Sequence, residues 1–252
     1  MGRVAVLILV ILLIASSSEA LTAKRLMLRS EVLDEYRPLN LVLPVNFDPG
    51  EFYPMVIVLD GEKKHLGTVA RLMRQAEPGL IIVGVENVNR ARDMFPDPVP
   101  ERRNQGGGAE AFLEFIVTEL VPYIEQEYPV NGIRVLTGQS DSGYFVLYAM
   151  IERPYDFDAW IASSPMIDWN RDRILGGAGE LFAARPDIEG ALYINHGEDD
   201  YDEVVDSCPD FEALLSERAP VGFRWRSDFV EGGEHVPVEG YREGIDFVLG
   251  KD

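Results

Sequence analysis

The chain has 252 residues, of which 46% are hydrophobic and 10% aromatic, enough to bury a sizeable core in one α/β unit. Acidic residues outnumber basic ones 43 to 23, and the resulting formal charge of −20 repels phosphate backbones and anionic lipid surfaces, which argues against nucleic acid as a partner. Cys208 is the only cysteine, so an intrachain disulfide and the paired Cys/His spacings of a structural zinc site are both excluded.

Residues 1–20 stand apart. Arg3 precedes an unbroken apolar run from Val4 to Ala15, and "SSSEA" then supplies small residues suited to cleavage after Ala20. This is the pattern of a secretory signal peptide, and it predicts export to a periplasmic or extracellular space. The run is shorter than the roughly 20 residues a spanning helix needs, so membrane contact is expected only through an uncleaved signal.

From residue 21 onward, short β-branched or apolar runs alternate with longer helical patterns, the signature of a mostly parallel sheet with crossover helices. "LNLVLPV" and "YPMVIVLDG" read as early strands, "LGTVARLMRQAE" as a helix and "GLIIVGV" as a buried strand. The stretch from Asn87 to Gly108, rich in Pro, Gly, Arg and Asp, is the longest irregular one. "AEAFLEFIVTELVPYIEQEY" places Phe112, Ile116, Leu120 and Ile124 on one helical face, with a kink expected at Pro122. The strand "IRVLTG" follows, then a helix after Ser140, the strand "FDAWIAS", a polar helix after Trp169 and the strand "GALYINHG". The helix "DEVVDSCPDFEALLSE", the strand "GFRWRSDFV" and a helix after Pro237 complete the series. The fold class is therefore α/β, read as a single domain over residues 21–252 with helices on both faces of the sheet.

Chemistry concentrates at "GQSDSG". A strand ends, the chain bends through small residues and a helix begins, the context in which the elbow motif G-x-S-x-G raises a serine nucleophile. Gly138 fills the first glycine position, while Ser142 stands at the second, followed by Gly143. The bland reading is an ordinary strand-to-helix loop.

A serine hydroxyl needs a base oriented by a carboxylate. On this architecture the order along the chain is serine, acid, histidine, which leaves aside His65. His196 ends a predicted strand with too little chain before it to carry the acid. His235, in the glycine-rich loop "EGGEHVPVEG", remains. The acid is expected after "ALYINHG", where "GEDDYDE" offers Glu198, Asp199, Asp200, Asp202 and Glu203; Asp200 is the first choice and Asp199 the second. The oxyanion needs two backbone N–H donors. The amide of Asp141 follows the nucleophile, and a second donor is expected near Gly61 or Glu62, after the strand "MVIVLDG".

These motifs, together with "EVLDEYRPLNLVLPVNF", "VGVENVNRARDMFP" and "LTGQSDSGYFVLYAMIERPYDFDAWIASSPMIDWN", resemble the esterases of the esterase D and enterochelin-esterase type, a branch of the α/β-hydrolases. The resemblance runs from about Leu26 to Leu249 and implies an α/β-hydrolase fold. It implies Ser140 as nucleophile, His235 as base, an acid after "INHG" and the Glu62 amide as an oxyanion donor. Gln139 and Ser142 stand where relatives more often have histidine and glycine. Arg90 and Asp93 fit a family motif and are expected to order their loop through ion pairs or hydrogen bonds. The expected activity is hydrolysis of small, neutral carboxylic esters without metal or organic cofactor. Acyl transfer through the same triad and a non-catalytic binding domain on the same scaffold are the alternatives.

Overall fold

A computed structural model describes residues 23–99 and 105–250; the signal segment expected over residues 1–20 lies outside the described residues. The chain divides into two compact units, Met1–Ile133 and Arg134–Asp252.

In the amino-terminal unit, β1 (Ala23–Ser30) pairs antiparallel with β2 (Glu35–Val42), which pairs antiparallel with β4 (Ile81–Val85). β4 in turn pairs parallel with β3 (Tyr53–Val58), and α1 (Lys63–Ala76) is the crossover between them. Every residue of β4 is buried, as its continuous apolar run requires of a strand covered on both faces. β1 is a strand the sequence reading did not place. Leu26, Leu28 and Ser30 alternate inward, but apolar Met27 on the outward face and polar Ser30 on the inward one mask the period.

The irregular stretch contains a short helix, α2 (Arg90–Met94), and the antiparallel two-residue strands β5 (Pro98–Val99) and β6 (Gln105–Gly106). The expected loop-ordering contacts are present. Arg90 forms two hydrogen bonds with Asp60, at 2.7 and 2.8 Å. Asp93 is wholly buried between Arg37 and Arg92, each at 2.6 Å. Arg37, equally buried, has its guanidinium 4.9 Å from the centre of the Phe112 ring.

The next helix runs as α3 (Ala109–Phe115), a wide π turn (Ile116–Leu120) and α4 (Val121–Glu127). The Val121 amide bonds five residues back to Ile116. Pro122 follows directly: it has no N–H, and its ring crowds the carbonyl four residues earlier, so the widened turn is how the helix passes it. Phe112, Ile116, Leu120 and Ile124 are all buried, as their spacing predicts.

The carboxy-terminal unit is built on four parallel strands in the order β7 (Val130–Gln139, most of which lies in this unit), β8 (Ala159–Ser163), β9 (Gly190–Asp199) and β10 (Phe223–Glu234). Between them run α5 (Asp141–Glu152), α6 (Arg171–Ala184) and α7 (Asp202–Arg218), and α8 (Gly240–Val248) follows the last strand. Successive residues of β8 face opposite sides. Trp160 joins the ring of Phe223, which meets Phe182 of α6. Ile161 meets α8, where a Cβ added at Gly244 would come within 3.1 Å of its side chain. Helices therefore cover both faces of this sheet, and the carboxyl ends of its strands are left to carry the loops at which ligands of such folds bind.

Candidate active site

Ser140 sits between β7 and α5 with φ 55° and ψ −122°, a left-handed conformation that side chains rarely adopt. Such strain costs about 1–3 kcal/mol and persists only where surrounding contacts over-determine it. Those contacts are visible. The Ser140 amide donates to the Ser163 carbonyl at 2.9 Å, and its carbonyl accepts from Tyr144 at 3.0 Å and Met166 at 3.2 Å. A Cβ at Gly138 would fall 2.5 Å from the Ser142 carbonyl oxygen, so only glycine lets strand and helix close up here. Ser142, at the unusual position, is fully buried; its hydroxyl accepts from the Gln139 amide at 2.8 Å and donates to the Gln139 carbonyl at 2.7 Å. Glycine could not make this strap, and the elbow is thus closed by a different device. The strain and its supports favour the elbow over an ordinary loop.

Asp200 and His235 come together at the carboxyl ends of β9 and β10. His235 Nδ1 lies 2.5 Å from Asp200 Oδ1. With that nitrogen against a carboxylate, Nδ1 carries the proton and Nε2 is left as the basic nitrogen. The Asp200 side chain is fully buried, whereas Glu198, Asp199, Asp202 and Glu203 are exposed. Burial works to raise the Asp200 pKa, but hydrogen bonds from His235, Ser164 and the Tyr201 amide outweigh it and hold the carboxyl below the ordinary aspartate value. The Tyr201 ring packs over the imidazole, with centroids 4.3 Å apart.

The first oxyanion candidate, the Asp141 amide, opens α5, so it lies at the positive end of the helix. The Asp141 carboxylate is buried and turned to Trp169, whose Nε1 donates to it at 3.1 Å. Within the amino-terminal unit, the Gly61 amide is spent on the Val85 carbonyl at 2.8 Å, which leaves Glu62 of the two candidates. The Glu62 carboxylate accepts from the Asn87 amide at 3.0 Å and from Nδ2 of Asn87 at 2.9 Å. His65 lies on α1, its pKa lowered by burial. His196 is buried 3.5 Å from Glu212 and belongs to the core.

Sequence reasoning missed Ser164. It is fully buried with φ 44°, its amide donates to the Asn195 carbonyl at 2.7 Å, and its hydroxyl meets Asp200. A serine in "ASSPM" carries no signal of this, because a residue before proline is ordinarily extended.

The family model described as "Putative esterase" matches residues 30–209, most of the chain; it covers Ser140 and Asp200 and stops short of His235. The ferri-bacillibactin esterase BesA of Bacillus subtilis is 33% identical over 153 residues, 50% of this chain and 52% of that protein. A siderophore triacetylfusarinine C esterase of Aspergillus fumigatus is 31% identical over 133 residues, 46% of this chain and 45% of the relative. The chain thus spans about half the length of these curated relatives. Among solved structures, an IroE-like serine hydrolase from Shewanella oneidensis is similar with a TM-score of 0.77 at 27% identity, over 90% of this chain and 79% of that one. The BES protein from Bacillus cereus shares the fold with a TM-score of 0.80 at 21% identity, over 94% and 98% of the two chains. The chain has the α/β-hydrolase fold and belongs to the family described as putative esterases.

Proposed function

We propose that the protein is a serine hydrolase of small carboxylic esters. The observation that carries this reading is the 2.5 Å contact between His235 Nδ1 and a buried Asp200 after β10 and β9, on the same carboxyl edge of the parallel strands as the strained elbow of Ser140 after β7. Ser140 Oγ attacks the acyl carbon as His235 Nε2 takes its proton, and the amide of Asp141 donates to the oxyanion. The tetrahedral adduct collapses, the C–O bond to the alcohol breaks and His235 returns the proton to the departing oxygen. Water, deprotonated by the same nitrogen, then attacks the acyl carbon, the bond from that carbon to Ser140 Oγ breaks, and His235 returns the proton to Oγ as the acid leaves. Asp200 stays ionised throughout and steadies the imidazolium.

Neutral acyl esters are the favoured substrates, because Glu198, Asp199, Asp202 and Glu203 line the loop around Asp200 with exposed negative charge. A second reading, a siderophore ester, is favoured by the names of the relatives. Export through the segment at residues 1–20 belongs to the same proposal and rests on its sequence pattern. The test compares kcat/KM for p-nitrophenyl acyl esters with that for a ferric catecholate ester at moderate salt. Faster acyl ester turnover supports the neutral-substrate reading, faster cleavage of the catecholate ester selects the second, and absence of turnover of either opposes both.

A further inference from the structure

Outside the three proposed catalytic residues, one hydroxyl touches both the acid and the loop that carries the base. Ser164 Oγ donates to Asp200 Oδ2 at 2.5 Å and accepts from the Val236 amide at 2.9 Å. The carboxylate has two oxygens to satisfy. Oδ1 takes His235 and the Tyr201 amide at 2.8 Å; Oδ2 takes Ser164, with the Gly197 amide more distant at 3.4 Å. Without Ser164, Oδ2 would keep only that long contact, and a carboxylate tied firmly through Oδ1 alone is less fixed in its tilt against the imidazole.

The second half of the contact acts on the histidine. Val236, directly after His235, has φ 62°, a conformation that a β-branched residue adopts only under constraint. Its amide is held by Ser164 Oγ, so the hydroxyl fixes the backbone on which His235 is mounted. Ser164 is itself left-handed at φ 44° and anchored to Asn195, two strained residues thus meeting through one hydroxyl.

We infer that Ser164 is a positioning residue for the acid–base pair, clamping Asp200 and the His235 loop into one geometry. The inference rests on the ester-hydrolase reading only for its effect on rate. Its structural half, the setting of the imidazole against the carboxylate, holds whatever the substrate.

The test uses the full chain with Ser164→Gly, which removes the hydroxyl while suiting the positive φ, and Ser164→Ala as a second variant. Two quantities are read: kcat and KM on a p-nitrophenyl ester, and the far-downfield proton resonance of His235 Nδ1–H, assigned by its loss in His235→Gln. The expected result is a protein that melts cooperatively, with kcat lowered about 10- to 100-fold, KM little changed and the resonance lost or moved upfield. A folded Ser164→Gly protein whose resonance is unmoved would overturn the inference, whether or not kcat falls. Absence of turnover in the wild-type protein would count against the ester-hydrolase reading alone, since the resonance is still measured. Loss of the fold in both variants would also overturn it, by making Ser164 a residue of the fold itself.

Discussion

The hydroxyl of Ser142 closes a two-way bond with the backbone of Gln139, accepting from its amide and donating to its carbonyl. The elbow of this chain is therefore tied across the turn by a side chain where a glycine is more usual in the family it resembles. Replacing Ser142 with alanine removes both bonds and is expected to lower stability by about 1–2 kcal/mol. Chemical denaturation of the two proteins measures this directly, and an unchanged midpoint would mean that the strap carries no weight.

Asp200 and Asp199 are neighbours in sequence with opposite surroundings. Only Asp200 is buried and touches His235. Asp200→Asn should lower kcat by about 10^4-fold, because an amide holds the imidazole in the wrong tautomer. Asp199→Asn should leave kcat within about twofold, an exposed carboxylate being screened by water. Equal losses in the two variants would contradict the assignment of the acid.

The depressed pKa of Asp200 has a defined sign for stability. The unfolded carboxyl titrates at about 3.9 and the folded one lower, so the native state is favoured by the charged form. Its contribution is present above pH of about 4 and is lost as pH falls through the folded value. Melting temperatures of wild type and Asp200→Asn should differ at pH 6, and the gap should narrow progressively as pH falls from about 4 through the lower folded value. A gap that widens on acidification would reverse the assigned sign.

Cys208 lies buried in α7, and that burial pushes its thiol pKa up. The thiolate is the reactive form, so iodoacetamide at pH 8 should modify native protein only as fast as it unfolds, and denatured protein at once. Rapid, complete modification of folded protein would show the thiol to be accessible.

Much of this molecule is legible in its sequence, and the parts that are not have physical reasons. The apolar runs that became β4 and β8 read clearly because both faces are covered, whereas an outward Met27 and an inward Ser30 hide the alternation of β1. Pro122 announces a disturbed helix, but not that the disturbance is one wide turn. Ser140 and His235 follow from order along the chain. The choice of Asp200 among five acids depends on burial, which a run of similar carboxylates conceals until the loop is folded. β10 continues past its apolar run to Glu234 because a register shift after Val230 carries the strand on toward His235. Ser164 is invisible in advance, since its role depends on a left-handed turn before proline and on two partners 36 and 72 residues away.

The central claim is that Ser140 is an activated nucleophile. Fluorophosphonate labelling of the full chain, with peptide mapping, beside Ser140→Ala and a panel of p-nitrophenyl esters, tests it most directly. The account predicts one label, on Ser140, with ester turnover, and loss of both in the alanine variant. A folded protein that takes no label and turns over no ester, or a label that persists in Ser140→Ala, would contradict it.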